Sequence, residues 1–266
     1  MNQRERSDAF HSLHARGELL RLPNAWDAGS ARLFEACGAR AIATTSAGLA
    51  WSLGYADGNR VPPRVLEAAA REIARVVRVP LSVDAEAGLA KDAAGTRETI
   101  AALIGAGVVG VNLEDGSDPP DVLRAKIEAA KQAGTRAGVP LFVNARTDVY
   151  LRRLVPSERA REEAIARGRA YRGAGADGFF VPGLAESESI RAIVAAVDLP
   201  LNLMLVPGLP SASALQELGV RRLSAGSSIA QSAYSLARRE ALALLGSENA
   251  AATPALTYPE LNALFA

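Results

Sequence analysis

The sequence is poor in the residues that most enzymes use as acids, bases and nucleophiles. It contains one cysteine, Cys37, and two histidines, His11 and His14. A single cysteine excludes an internal disulfide and fits a reducing, cytoplasmic setting. Both histidines fall in one N-terminal segment with a helical pattern, so cysteine–histidine or serine–histidine catalysis is not expected. The chemistry must depend on carboxylates, arginines, amides and hydroxyls.

Lysines and long apolar runs are also scarce. The lysines are Lys91, Lys126 and Lys131, and none ends a predicted strand, which argues against a Schiff-base aldolase. No apolar run approaches the roughly 18 residues of a membrane span, and residues 1–22 lack the apolar core of a secretory signal. The net charge of +1 gives no reason to expect a nucleic acid or an anionic membrane as partner. We therefore predict a cytoplasmic protein without a nucleic-acid or membrane partner.

Eight short apolar segments alternate with helical patterns along the 266 residues. The predicted strands are 19–22, 41–46, 79–84, 108–113, 141–146, 178–181, 201–206 and 221–225. Apolar strands that alternate with helices are typical of a parallel sheet covered on both faces. Eight such units predict an α/β protein with a (β/α)8 TIM barrel as the catalytic domain, over residues 1–245. An open doubly wound sheet is the alternative, although no glycine-rich turn follows the first strand.

Polar residues recur where the predicted strands end. Asp84 and Glu86 follow the apolar stretch 81–83, and strand alternation would point both to the same face. The polar residues at the other strand ends are Asn24, Ser46, Asn112, Glu114, Asn144, Arg146 and Asn202. A TIM barrel gathers the carboxyl ends of its strands at the face that carries the active site. The pattern thus predicts one shared polar centre rather than unrelated capping residues.

The residue types of this centre indicate a hard metal ion and an anionic ligand. Asp84, Glu86 and Glu114 offer oxygen ligands, without the histidine or cysteine that suits zinc, so Mg²⁺ or Mn²⁺ is predicted. Arg146 would bind a substrate carboxylate or phosphonate through its planar guanidinium. A divalent cation beside an arginine, near the amides of residues 46–49, suits a 2-oxo acid that is cleaved by way of an enolate.

Six motifs, in this order, resemble those of the isocitrate lyase / phosphoenolpyruvate mutase superfamily. They are Asn24-Ala-Trp-Asp27, Thr45-Ser-Ala-Gly-Leu49, Gly54-Tyr-Ala-Asp57, Val83-Asp-Ala-Glu86-Ala-Gly88, Asn112-Leu-Glu-Asp-Gly116 and Asn144-Ala-Arg146. The resemblance implies a barrel, usually tetrameric, in which a C-terminal helix is swapped between neighbours. For this chain it implies a homotetramer or dimer in which residues 246–266 pack on a neighbouring subunit. It also implies C–C or P–C bond chemistry through a Mg²⁺-held enolate.

The resemblance also assigns roles to individual residues. Asp84 would be the central metal ligand, with Glu86, Glu114 and Asp57 acting through coordinated waters. The family usually has aspartate where this chain has Glu86. Catalytic roles would fall to Asp57, Glu114 and Arg146. The substrate would be bound by Ser46, Ala47, Gly48, Leu49, Asn112, Asn144, Arg146 and Asn202.

Departures from the family's motifs narrow the predicted reaction. The loops at 92–95 and 115–120 contain neither cysteine nor histidine, so isocitrate and methylisocitrate lyase activity, which the family performs with a loop cysteine, is not expected. The long gating loop of the phosphonate enzymes is not evident either. We predict a Mg²⁺-dependent lyase or decarboxylase that cleaves a C–C bond next to the carboxylate of a small 2-oxo or 2-hydroxy (di)carboxylic acid. The alternatives are P–C bond chemistry of the phosphonomutase or phosphonopyruvate hydrolase type, and a non-catalytic barrel that binds a metal and a small acid.

Overall fold

Parallel strands curl into a barrel in the computed structural model, which describes residues 1–15, 17–247 and 249–266. The strands of the described residues are β1 (Leu20–Leu22), β2 (Asn24–Ala25), β3 (Ile42–Thr44), β4 (Leu81–Asp84), β5 (Gly110–Glu114), β6 (Phe142–Arg146), β7 (Gly178–Phe180), β8 (Leu201–Met204) and β9 (Arg222–Ser224). They form one sheet in the order β1-β9-β8-β7-β6-β5-β4-β3-β2. Since β1 and β2 are consecutive in the chain, the sheet closes on itself. The predicted TIM barrel is confirmed.

Pro23 explains why the structure has nine strands where eight were predicted. Proline has no backbone N–H and cannot donate to a strand ladder, so Pro23 interrupts the first strand. On one side of it β1 pairs with β9, and on the other side β2 pairs with β3. The strands β1 and β2 therefore act as one bent strand that connects β9 to β3 and closes the barrel.

Helices cover the outside of the barrel. They are α1 (Gln3–His14), α2 (Ala28–Ala36), α3 (Ser46–Ser52), α4 (Pro63–Val76), α5 (Ala93–Gly105), α6 (Pro120–Ala137), α7 (Ser157–Gly173), α8 (Ser187–Val197), α9 (Ala212–Glu217), α10 (Ser228–Leu244) and α11 (Tyr258–Ala263), with a 3₁₀ turn at Ala250–Ala252. The helix α4 shows why they pack: Leu66, Ala70 and Ile73 recur at helical spacing on one buried face. None of the described helices is long and apolar enough to cross a membrane.

The helix α1 closes the amino-terminal end of the barrel with aromatic rings. The ring of His14 stacks on Phe142 with a centroid distance of 4.1 Å, and Phe10 meets Phe142 edge-on at 5.2 Å. A Cβ atom at Gly110 would lie 2.6 Å from the Phe10 ring, so only glycine leaves room for it. The Nε2 of His11 lies 2.9 Å from the carbonyl oxygen of Pro140. Both histidines thus serve in packing at the end opposite the carboxyl ends of the strands.

His14 should make the stability of the fold depend on pH. Burial, aided by the positive charge of Arg222, lowers the pKa of His14 to about 3, whereas an unfolded histidine titrates near 6.5. The unfolded state therefore binds more protons between these pH values, and stability falls as pH falls below about 6.5. We expect a loss of roughly 1.4 kcal/mol per pH unit from this residue.

Urea titrations between pH 7 and pH 4 measure this contribution in the wild type and in His14→Gln. The glutamine cannot titrate, so the variant should show a shallower dependence of unfolding free energy on pH. Equal slopes in the two proteins would contradict the assignment.

Candidate active site

A cavity of about 480 Å³ opens at the carboxyl end of the barrel. Most of the residues predicted for the site line it. They are Asn24, Ser46, Ala47, Asp57, Asp84, Glu86, Asn112, Glu114 and Arg146. The parallel strands bring these residues together from positions more than a hundred residues apart in the chain.

The register of the sheet explains how the acids and the arginine meet. Asp84 of β4 lies opposite Asn112 of β5, and Glu114 of β5 lies opposite Arg146 of β6. Strand alternation sends Val111 and Leu113 outward, where both join the apolar core under the helices. The period of two in the sequence therefore places alternate residues of β5 in the cavity.

Glu86 reaches the cavity through a turn rather than by strand alternation. The strand β4 ends at Asp84, and Glu86 has a φ of +48°, in the left-handed region. Its N–H donates to Oδ1 of Asp84 at 3.2 Å, and its carboxylate accepts a hydrogen bond from the N–H of Asn59. Glu86 lies close to Asp84, as predicted, but a turn after β4 brings it there and strand alternation does not.

The buried acids of the cavity resist ionisation. Burial raises the pKa of Asp84, against the opposing effect of Arg146. Burial and the nearby charge of Asp57 raise the pKa of Glu86 to about 8. Burial raises the pKa of Glu114 to about 7, again against Arg146. Carboxylates in such an environment hold protons near neutral pH or require a cation.

The donor set fits a hard divalent cation that keeps part of its water shell. In the described part of the chain, no group of three or more His, Cys, Asp or Glu side chains is arranged to enclose a metal ion, and Glu114 is engaged by Arg146. Mg²⁺ usually binds through one or two carboxylates and several waters. Asp84 suits such a direct contact, because it lines the cavity and its carboxylate Oδ1 is oriented by the N–H of Glu86 at 3.2 Å. Glu86 and Asp57 would then be reached through water.

Arg146 is held at both ends of its guanidinium. Its Nη1 lies 2.7 Å from Oε2 of Glu114, and its Nε donates to Oδ1 of Asp148 at 2.7 Å. Its side chain is 14% exposed, and the guanidinium carbon lies 5.8 Å from the centre of the Phe180 ring. A planar cation fixed in this way is suited to bind one carboxylate in a defined orientation.

The helix α3 begins at Ser46, which was predicted to end the strand 41–46. Ser46 and Ala47, at its start, line the cavity. Gly48 and Leu49 do not: the N–H of Leu49 donates to the carbonyl of Thr45 at 3.0 Å within the helix. A Cβ atom at Gly48 would lie 3.0 Å from Ala230, so this glycine serves close packing. The structure thus brings two of these four predicted residues to the cavity.

A layer of buried polar side chains lies below the cavity and includes two residues that were predicted to touch the substrate. The Nδ2 of Asn144 donates to Oδ1 of Asn112 at 2.9 Å, and Asn202 accepts from Oγ of Ser224 at 3.1 Å. Arg222 is fully buried in the same layer, and burial lowers its pKa to about 10. Asn144 and Asn202 therefore support the cavity from below instead of lining it.

The last helix lies against the mouth of its own barrel. The hydroxyl of Tyr258 lines the cavity and donates to Oδ2 of Asp57 at 2.7 Å. The side-chain oxygen of Asn262 accepts from the N–H of Asp57 at 2.7 Å and from Nε1 of Trp51 at 3.2 Å. No sequence pattern linked this tail to the cavity. The exchange of residues 246–266 between subunits stays a prediction.

Sequence reasoning also missed a buried charge network next to the cavity. Asp115 accepts from Tyr171 at 2.6 Å, from Arg167 at 2.8 Å and from the N–H of Asp148 at 2.9 Å. Asp148 in turn accepts from Arg152, which lines the cavity. The four-residue spacing of Asp148 and Arg152 was an available signal, because it suits an ion pair on one helical turn.

A parallel barrel with acids and a paired arginine at the carboxyl ends of its strands has the architecture of a TIM-barrel enzyme. The model of the family described as phosphoenolpyruvate phosphomutase matches residues 10–245. The chain belongs to this family.

Individual relatives agree with this assignment. The uncharacterised protein Rv1998c of Mycobacterium tuberculosis (strain ATCC 25618 / H37Rv) is 37% identical over 223 residues, which cover 82% of each chain. A Burkholderia cenocepacia J2315 structure, described as that of a candidate phosphonomutase, has 40% identity and a TM-score of 0.85 over 92% of this chain and 100% of that one. Oxaloacetate acetylhydrolase in complex with its product oxalate has 27% identity and a TM-score of 0.80, over 98% and 93% of the chains. By name, the matched proteins include both C–C lyases and phosphonomutases.

The charge network predicts a strong structural role for Asp115. Replacing it by alanine leaves Arg167 and Tyr171 without their shared acceptor, and we expect the free energy of unfolding to fall by about 3 kcal/mol or more. Denaturant unfolding measures the loss. Asp118→Ala is the matched control, since Asp118 is exposed three residues further on, and it should change stability by less than about 0.5 kcal/mol. A small effect at Asp115 would count against the network.

Proposed function

We propose that the protein is a Mg²⁺-dependent lyase or decarboxylase that cleaves a C–C bond next to the carboxylate of a small 2-oxo or 2-hydroxy dicarboxylic acid. The observation that carries this proposal is that Asp84, Glu86 and the Glu114–Arg146 ion pair line one cavity. Asp84 and Glu86, which resist ionisation, offer a place for a divalent cation, and the arginine offers a place for a carboxylate. Few other ligands need both in the same cavity.

Each group would have a separate task. Mg²⁺, when bound, supplies the positive charge that favours an enolate. Arg146 binds and orients a carboxylate of the substrate. Glu114, whose pKa burial raises to about 7, can take up or release a proton near neutral pH. Asp57, tied to Tyr258, lies on a loop that covers the substrate from the mouth.

The length of the loop after β5 favours C–C over P–C chemistry. The strand ends at Glu114 and α6 begins at Pro120, so the connection is too short to form a gating loop with added lysine and asparagine. The likeness to oxaloacetate acetylhydrolase, which has oxalate as its product, supports a dicarboxylic oxo acid as the substrate class. The likeness to the Burkholderia candidate phosphonomutase is the reason to keep phosphonate chemistry as the second candidate.

The same proposal includes the setting of the enzyme. It would act in the cytoplasm as a homotetramer or dimer. The large apolar side chains exposed on α10 and the tail, Leu244, Leu245 and Leu264, support an oligomer, because a partner would remove them from water.

Turnover of 2-oxo and 2-hydroxy dicarboxylates with and without EDTA tests the proposal. We expect activity with at least one such acid, abolished by EDTA and restored by Mg²⁺. Asp84→Asn should lower kcat/KM by roughly 100-fold or more, since it removes charge at the cation site. Asp8→Asn changes an exposed acid at the other end of the barrel and should leave activity unchanged.

Three results would contradict the proposal in different ways. Phosphorus NMR that shows conversion of phosphonopyruvate, without turnover of the dicarboxylates, would establish the second candidate. A non-catalytic barrel would remain if the protein showed no turnover and no rise in melting temperature with Mg²⁺, and if Asp84→Asn did not change ligand binding. EDTA-resistant turnover would exclude the metal.

A further inference from the structure

Arg152 provides the cavity with a second arginine, further out than Arg146. It follows β6 in a turn, and its Nε donates to Oδ2 of Asp148 at 2.7 Å. Its side chain is 51% exposed, against 14% for Arg146. Among the residues that the structure describes, none accepts a hydrogen bond from its Nη1 or Nη2. The Nη donors at the mouth are therefore free for a ligand.

A single buried carboxylate fixes the two arginines. The side chain of Asp148 is 0% exposed, and its Oδ1 accepts from Arg146 while its Oδ2 accepts from Arg152, each at 2.7 Å. Its own N–H is held by Asp115 at 2.9 Å. An exposed ion pair on a surface contributes little to binding or stability because both partners move. Here the acid is immobile, so Arg152 is oriented before any ligand arrives.

The balance of charge around Arg146 shows what Arg152 adds. Arg146 contacts both Glu114 and Asp148, so these three residues together carry one net negative charge when both acids are ionised. A substrate carboxylate that extends outward past them would be repelled. The positive charge of Arg152 neutralises this net negative charge, and its Nη donors face the mouth of the cavity. Leu151 and Phe180 line the cavity as well, and apolar neighbours strengthen a charge–charge contact by excluding water.

We propose that Arg152 is a specificity-determining residue that binds the second, distal carboxylate of the substrate. This inference rests on the proposed function, in which the metal site and Arg146 hold the oxo-acid end. Under this inference the cavity selects oxo acids that carry a second carboxylate beyond the oxo-acid end over oxo acids that lack it. Arg152 is not required for contacts at the oxo-acid end.

Isothermal titration in the presence of Mg²⁺ tests this with two probes. Oxalate occupies only the oxo-acid end, whereas 3,3-difluorooxaloacetate adds a distal carboxylate. Arg152→Ala should weaken binding of 3,3-difluorooxaloacetate by roughly 10- to 100-fold, the range expected for a lost charged hydrogen bond. Oxalate affinity should change by less than about 3-fold. Arg152→Lys keeps the charge but loses the planar fork and should give an intermediate loss.

Arg159→Ala is the matched control, because Arg159 is exposed on α7 and does not line the cavity. It should leave both affinities unchanged, and melting temperatures check that every variant is folded. An Arg152→Ala variant that binds 3,3-difluorooxaloacetate normally, or that loses both probes equally, would overturn the inference alone. A wild type that binds oxalate but not 3,3-difluorooxaloacetate would also overturn it. A wild type that binds neither probe would overturn the proposed function and this inference with it.

Discussion

The mutual repulsion of buried carboxylates is the constraint around which the carboxyl end of the barrel is built. Asp57, Asp84, Glu86 and Glu114 all line one cavity, and burial holds the pKa values of the last three above their ordinary range. Arg146 relieves part of this repulsion: it contacts Glu114 directly, and its charge also opposes the rise in the pKa of Asp84. Asp84 and Glu86 are still disfavoured as bare charges, which a proton or the proposed divalent cation would relieve.

Two consecutive residues at the end of β5, Glu114 and Asp115, have different functions. Glu114, the last residue of β5, faces the cavity, and Asp115, the next residue, points away from it, toward Arg167 and Tyr171 on α7. Asp115 then fixes the backbone of Asp148, which holds Arg146 and Arg152. One acid therefore faces the ligand, and its neighbour in sequence anchors the arginines from behind. Preorganisation of this kind reduces the reorganisation needed when a ligand binds.

The sequence predicted the features that depend on local periodicity. The alternation of apolar strands with helices predicted the barrel. The period of two predicted that Asn112 and Glu114 lie on one face of their strand, and that Asn144 and Arg146 lie on one face of the next. The depth of a residue along the barrel axis cannot be predicted from the neighbouring sequence, because it depends on the stagger between strands. That is why Asn144 and Asn202, which look like ligand residues in sequence, lie below the cavity.

Irregular backbone accounts for most of what was missed. Pro23 splits the first strand, Glu86 turns at a positive φ, and Arg152 depends on a turn with no repeat in the sequence. Tyr258 reaches Asp57 across 201 positions, a distance over which a single sequence holds no signal. Pro23, Glu86 and Arg152 lie in turns and loops, where no regular hydrogen-bond ladder transmits the pattern from one position to the next.

Gly178 on β7 gives the barrel an asymmetry that bears on how its chemistry could diverge. A Cβ atom there would lie 2.8 Å from Oδ1 of Asn144 and 3.0 Å from the Phe142 ring, so the layer below the cavity admits no side chain at this position. A substitution at Gly178 therefore cannot add a side chain there unless Asn144 and Phe142 move. The mouth of the cavity is less crowded, since Leu151 and Arg152 are exposed and lie in a turn. Side chains of a different size are therefore accommodated more readily at Leu151 and Arg152 than at Gly178.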